Sequence, residues 1–196
     1  MTNAAIFRKS LALAALAAVS AAVPAKAAFH LWTITEIYSD ASGHLQFIEL
    51  KDNFGGQNFV GGQTLQLNNT ANTITHSYTF PTSFASDSFN HTMLLGTAGL
   101  HAAGAPTPDF IIPDNFIFTA GGSISFFNAS GSYSALPTDG VLSRTWGDGN
   151  AANSPQNFAG QTGMVVVPEP AATVLLLLGG LVVAGVRRGV RLNSKV

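Results

Sequence analysis

Hydrophobic and polar residues are arranged in two ways along the chain. Near each end they segregate: residues 11–23 are apolar apart from Ser20, and residues 171–186 contain no charge. Between these runs they alternate. Trp32, Ile34, Glu36 and Tyr38 are interleaved with Thr33, Thr35 and Ile37. Turn-forming residues 39–43 follow, and residues 45–50 read as a second strand. Strand, Asp/Ser/Gly turn, strand predicts a hairpin. Further strands are predicted over 64–67, 73–80, 93–97, 110–112, 116–118 and 123–127, with a fainter one around 141–146. Gly, Pro and Asn separate them, and no window of the middle region keeps a helical period. Many short strands broken by turn residues predict an all-β sandwich. Alternation places Trp32 and Ile34 on one face, in the core.

The two apolar runs predict an address. Arg8 and Lys9 precede the first run, and Ala25-Lys26-Ala27 follows it with small-x-small spacing. Charge, short apolar run and small-residue site describe a secretory signal peptide over residues 1–27. Cleavage is expected between Ala27 and Ala28, with Ala25 and Ala27 as the small residues read by signal peptidase. The second run has 16 residues. As a helix it is about 24 Å long, short against a hydrocarbon core of about 30 Å. Snorkelling of the flanking arginines shortens the gap. Arg187, Arg188, Arg191 and Lys195 follow at once. Positive charge after a span predicts a cytoplasmic tail, residues 187–196, and leaves the middle of the chain outside the cytoplasm.

Removing both ends changes the charge picture. Residues 28–163 carry nine acids against Lys51 and Arg144, a formal charge of −7 that the whole-chain value of −1 conceals. Such a domain is unsuited to nucleic acid phosphates. The chain has no cysteine, so disulfides play no part, although an exported compartment permits them. A chain of this size buries roughly two thirds of its surface without such staples.

Candidate chemistry is sparse. His30, His44, His76, His91 and His101 show no i, i+4 pair enclosing a glutamate, the zinc-protease pattern. No Gly-x-Ser-x-Gly elbow occurs, and residues 121–125 read as a turn into a strand. Glu36 and Glu49 fall on neighbouring predicted strands. Paired carboxylates about 5–9.5 Å apart hydrolyse glycosides, but strand glutamates facing solvent or holding hydrogen bonds fit the pattern better. Asp148, Gly149 and Asn150, with Asp139 upstream, supply oxygen ligands around a glycine turn, as calcium loops do. The closing glutamate of such a loop is missing, and a plain Asp-Gly turn is the expectation, with no metal and no cofactor. Phe54, Phe59, Phe84, Phe89 and Phe158 sit in polar contexts. Aromatics so placed plug core ends or stack on sugar rings.

Two resemblances add to this reading. "VPEP" at residues 167–170, the leucine- and glycine-rich run and "RR" at 187–188 resemble the PEP-CTERM sorting signal of exported Gram-negative bacterial proteins. The likeness implies that Val167, Pro168, Glu169 and Pro170 form the recognition motif of an exosortase-type membrane enzyme. It implies that the run anchors the protein until processing and that Arg187, Arg188 and Arg191 act as stop and topology signals. Prolines at 168 and 170 suit neither helix nor sheet interior and keep the motif extended. A permanent single-span anchor is the alternative. "ITEIY" and "QFIEL" further resemble the opening of the lamin-tail family, through Ile34, Glu36, Ile48, Glu49 and Leu50. Residues 139–158 are similar to its Asn/Pro-rich close. Thr35 departs from the family's asparagine, and Lys51-Asp52-Asn53 replaces its continuation. This likeness implies a single immunoglobulin-like β-sandwich, Ile48 rather than Phe47 in the core with Trp32 and Ile34, and a binding or scaffolding role without catalytic residues.

The expected organisation is a signal peptide (1–27), a β-sandwich ectodomain (28–163), a linker with the sorting motif (164–170), a transmembrane helix (171–186) and a basic tail. The expected function is that of a non-catalytic exported surface or matrix protein, adhesive or carbohydrate-binding. Its partners would be the export machinery, the processing enzyme, the inner membrane and extracellular polysaccharide. An exported hydrolase with a site built from scattered residues is the alternative.

Overall fold

The computed structural model describes residues 29–147 and 149–167. The signal peptide with Ala25, Ala27 and Ala28 lies outside the described residues, as do Asp148, Pro168, Glu169, Pro170, the expected span and Arg187, Arg188 and Arg191. Among the described residues no helix is long and apolar enough to cross a membrane.

The described chain is an all-β sandwich of two sheets. In chain order its strands are β1 (Trp32–Ser39), β2 (Gln46–Asp52), β3 (Thr64–Asn69), β4 (Thr75–Thr79), β5 (Thr92–Gly96), β6 (Phe110–Ile111), β7 (Gly121–Phe126), β8 (Ala129–Ser134), β9 (Leu142–Thr145) and β10 (Gly149–Ala152). One sheet has the order β10-β9-β1-β2-β5-β6, the other β4-β3-β7-β8. The predicted β1–β2 hairpin forms, closed by Asp40: its N–H donates to the Leu45 carbonyl (2.9 Å), and its carboxylate accepts the Leu45 N–H (3.0 Å).

Between the sheets lies a cluster that includes Trp32, Ile34, Ile37, Ile48, Leu50, Leu65, Leu67, Met93, Leu95, Ile124 and Phe126. Trp32 and Ile34 are in it, as the pattern predicts, and so is Ile48. The even alternation from Trp32 to Tyr38 does not persist, however. A bulge between Ile34 and Glu36 leaves Thr35 outside the β1–β2 register, so Ile34 pairs with Leu50 and Glu36 with Glu49. One extra residue reverses the side-chain phase. Ile37 therefore continues the inner core, while Tyr38 points into a second cluster with Phe47, Leu94, Leu100, Ala105 and Val165. Phe47 and Ile48 are both fully buried, on opposite faces. The six-stranded sheet is thus covered twice. Its outer face is roofed by parts of two segments, residues 97–109 and 153–167, that supply Leu100, Ala105 and Val165.

Two other expectations are corrected. Residues 116–118 are not a strand; the Gln46 side chain meets the Ile117 backbone instead, its Oε1 accepting the N–H (2.9 Å) and its Nε2 donating to the carbonyl (3.0 Å). A carboxamide carries the same donor and acceptor as a peptide group and serves in place of a ladder partner. Packing also continues past Gly163, where composition places the domain's edge. Val165 is buried, and Asn153 brackets its backbone by accepting its N–H (2.6 Å) and donating to its carbonyl (3.1 Å).

Candidate functional site

Glu36 and Glu49, the one carboxylate pair that the sequence places together, are indeed cross-strand partners, and both are buried. Their oxygens are engaged. Glu36 accepts the Ser154 N–H (3.0 Å) and the Ser154 hydroxyl (3.1 Å). Glu49 accepts the Thr35 hydroxyl (2.7 Å) and the Gln156 N–H (2.8 Å). Asp109 continues the series, accepting the N–H groups of Phe158 (2.9 Å) and Leu94 (2.8 Å). Residues 154, 156 and 158 thus hand alternate amides to three carboxylates. The segment crosses the outer face of the sheet from β1 over β2 to the β5–β6 side, transverse to the strands, and is fastened by side chains.

Burial pushes the Glu49 carboxyl above its ordinary value; the Thr35 and Gln156 bonds counter this and the nearby Glu36 adds to it. Burial likewise raises Asp109, against the pull of the Leu94 and Phe158 amides. These groups fasten a strap. A general acid or nucleophile must reach substrate, and here the strap occupies that position.

Of the metal candidates, the described Asp139 and Asn150 are not brought together. Asp139 accepts the N–H groups of Val141 (2.9 Å) and Leu142 (2.8 Å), which hold its carboxyl below the usual range. It caps the Leu142 end of the β9–β10 ladder. Gly147 and Gly149, at φ 95° and 92°, turn the chain at the Thr145 end. Three strand steps separate the two ends, about 10 Å. Asn150 is exposed on β10, opposite Arg144. The histidines are dispersed: His91 Nδ1–H donates to the Phe158 carbonyl (2.7 Å), His76 to Phe116 (2.8 Å) and His101 to Ala105 (3.0 Å), while His44 meets Asp114 at the surface (2.6 Å).

The aromatics divide. Phe84 and Phe158 stack at 3.9 Å and pack against the inner core. Phe54 and Phe89 remain exposed.

An open groove lies elsewhere, where the two sheets approach at their edges. A groove of about 440 Å³ runs between β8 and the β9–β10 turn, lined by Ser132, Ser134, Arg144, Thr145 and Trp146 among others. Three features shape it. The Trp146 N–H donates to the carbonyl of the bulged Thr35 (2.9 Å), which seats the residue. Its indole lies against Gly131, where a Cβ would stand 2.4 Å from ring carbon Cζ2, so only glycine leaves room for the ring. Arg144 donates through Nη2 to the Ala135 carbonyl (3.1 Å), while its buried Nε has no acceptor among the described residues. No His, Asp or Glu is among the described residues of the lining.

Sequence reasoning missed this groove. Its readable trace is the single arginine of the acidic middle region, two residues before a tryptophan. The other wall, β8, is so rich in serine and glycine that it reads as loop.

No protein-family model, curated protein or solved structure matches this chain.

Proposed function

We propose that this is an exported, non-catalytic cell-surface or matrix protein that binds polysaccharide through the groove between β8 and β9. In this reading the domain is an immunoglobulin-like sandwich of lamin-tail type, delivered by the N-terminal signal and sorted by the PEP-CTERM-like motif. One observation carries the binding role: an indole and a guanidinium line the same groove as two serine hydroxyls. An aromatic face suits the C–H face of a sugar ring. The planar guanidinium suits a carboxylate better than any neutral group does. The ligand class is therefore a polysaccharide with scattered uronic acid residues, since the domain's charge of −7 opposes a dense polyanion as it does nucleic acid. The engagement of Glu36, Glu49 and Asp109 in the strap supports a role without catalysis.

The test is binding of a xylan bearing scattered glucuronic acid to the domain, beside a neutral glucan. Acid-selective binding that weakens at least about tenfold, or about 1.4 kcal/mol, in both Arg144→Gln and Trp146→Ala is expected. Equal binding by wild type and both variants, or none to either polymer, overturns the reading.

A further inference from the structure

We infer that the face carrying Val141, Met164 and Val166 rests on the bilayer while the protein is membrane-held, with these three side chains in the lipid headgroup layer. The inference rests on reading residues 171–186 as a span.

The chain is held to the domain until the last described residue. Val165 is 1% exposed in the outer cluster. Asn153 ties it to β9, its Nδ2 donating both to the Val165 carbonyl (3.1 Å) and to the Val141 carbonyl (2.9 Å). The Val166 N–H donates to Ala103 (2.8 Å). Val167 abuts Gly140, where a Cβ would stand 2.8 Å from the valine's own Cβ. The extended chain alternates, so the residues on either side of Val165 face outward. Met164 is 49% exposed and Val166 61%, and Val141, tied to the same asparagine, is 55% exposed. Three large apolar side chains are therefore gathered where the tail departs.

The remaining length of chain identifies what covers them. Residue 171, the first of the apolar run, is four peptide steps beyond Val167. Four steps reach at most about 14 Å. The headgroup layer on each side of the hydrocarbon is about 5–8 Å deep. A folded domain of this size is about 30–35 Å across, so it cannot stand clear of the membrane on such a tether. The apolar run is itself short for a bilayer, and hydrophobic mismatch draws its flanks inward. The tether and the mismatch both press the Val167 side of the domain onto the headgroups. Asp139, beside Val141, sets the lipid preference: its charge opposes anionic lipid, so phosphatidylcholine is the fitting surface.

The chain has no cysteine, so single labels can be placed without background. The full chain would be labelled with an environment-sensitive fluorophore at Val141→Cys, Val166→Cys or, on the opposite sheet, exposed Ser77→Cys, and inserted into phosphatidylcholine vesicles. Both valine sites are expected to be quenched several-fold more strongly by lipid-borne quenchers than Ser77→Cys. A chain that floats with the vesicles while all three labels stay equally open to water overturns the inference alone. Labels shielded from water but not reached by lipid quenchers overturn it in favour of a second copy or a protein partner. A chain that fails to float overturns the span reading and the inference with it.

Discussion

The two faces of the six-stranded sheet are buried by different means. The inner face meets the second sheet through aliphatic and aromatic side chains, from Trp32 and Ile34 to Leu67 and Phe126. The outer face has a smaller cluster around Tyr38, Phe47 and Leu94, roofed by a strap that three carboxylates hold by its amides. The inner face depends on area removed from water, which is non-directional. The outer cover depends on particular acceptors, and a buried donor that loses its acceptor is left with its desolvation cost. Damage to the inner face should therefore weaken the whole fold, whereas damage to the strap should stay local.

The largest expected effect is on the inner face. Ile34→Ala should cost about 2–5 kcal/mol, the usual range for a fully buried large-to-small change. Urea melts of the domain measure it, and a cost below about 0.5 kcal/mol, typical of surface sites, would place Ile34 outside the core.

Next is the strap. Glu36→Ala leaves the Ser154 N–H and hydroxyl without their acceptor and should cost about 1–3 kcal/mol. Hydrogen exchange should show faster opening over residues 153–167 while the β2 and β5 amides keep their protection. Uniform acceleration across both sheets would mean that the two faces form one cooperative unit.

The smallest effect concerns pH, and its sign distinguishes this cover from a salt bridge. The folded Glu49 and Asp109 carboxyls lie above their ordinary values of 4.5 and 3.8. The folded state therefore holds more protons than the unfolded chain in the window just above those values. Stability contributed by these groups is present on the acid side and falls as pH rises through the window. The melting midpoint should drift upward on mild acidification, and Glu49→Gln should flatten the drift. A midpoint that falls instead would assign control to Asp87 and Asp139, whose carboxyls are held low by backbone amides.

The legible parts of the fold were those governed by alternation. The β1–β2 hairpin, β3, β5 and β7 alternate or run apolar between turn residues, and Trp32 and Ile34 lie where the pattern predicts. The bulge at Thr35 was hidden because residues 32–38 accept either phase: Tyr38 and Ile37 are both residues that a core accepts, and both faces of the sheet are buried. Strand β8, "ASGSYS", has Tyr133 as its one residue of the β-branched and aromatic kinds that mark strands, and holds its place through Ala129 and Tyr133 on the core side. The strap was illegible for another reason: its partners lie as far as 118 residues away, and hydrogen bonds between side chain and backbone leave no periodicity. The groove joins β8 to β9 across the gap between sheets, so neither wall announces the other. Glu36 and Glu49 were correctly placed side by side, but their partners came from a segment with no recognisable pattern.

The Gln46 carboxamide that stands in for a strand carries a chemical clock. Hydrolysis of its amide would exchange the Nε2 donor for an oxygen, leaving a carboxylate against the Ile117 carbonyl and turning the contact from attraction to repulsion. Gln46 is fully buried, so water reaches that amide only when the region opens. Deamidation should therefore proceed no faster than opening, and once it occurs residues 116–118 should come away from β2. Because the hydrolysis is slow relative to opening and closing, mass spectrometry of the Gln46 peptide over prolonged incubation would read the population of the open state; conversion as fast as in an unstructured peptide would show that the carboxamide is not sealed.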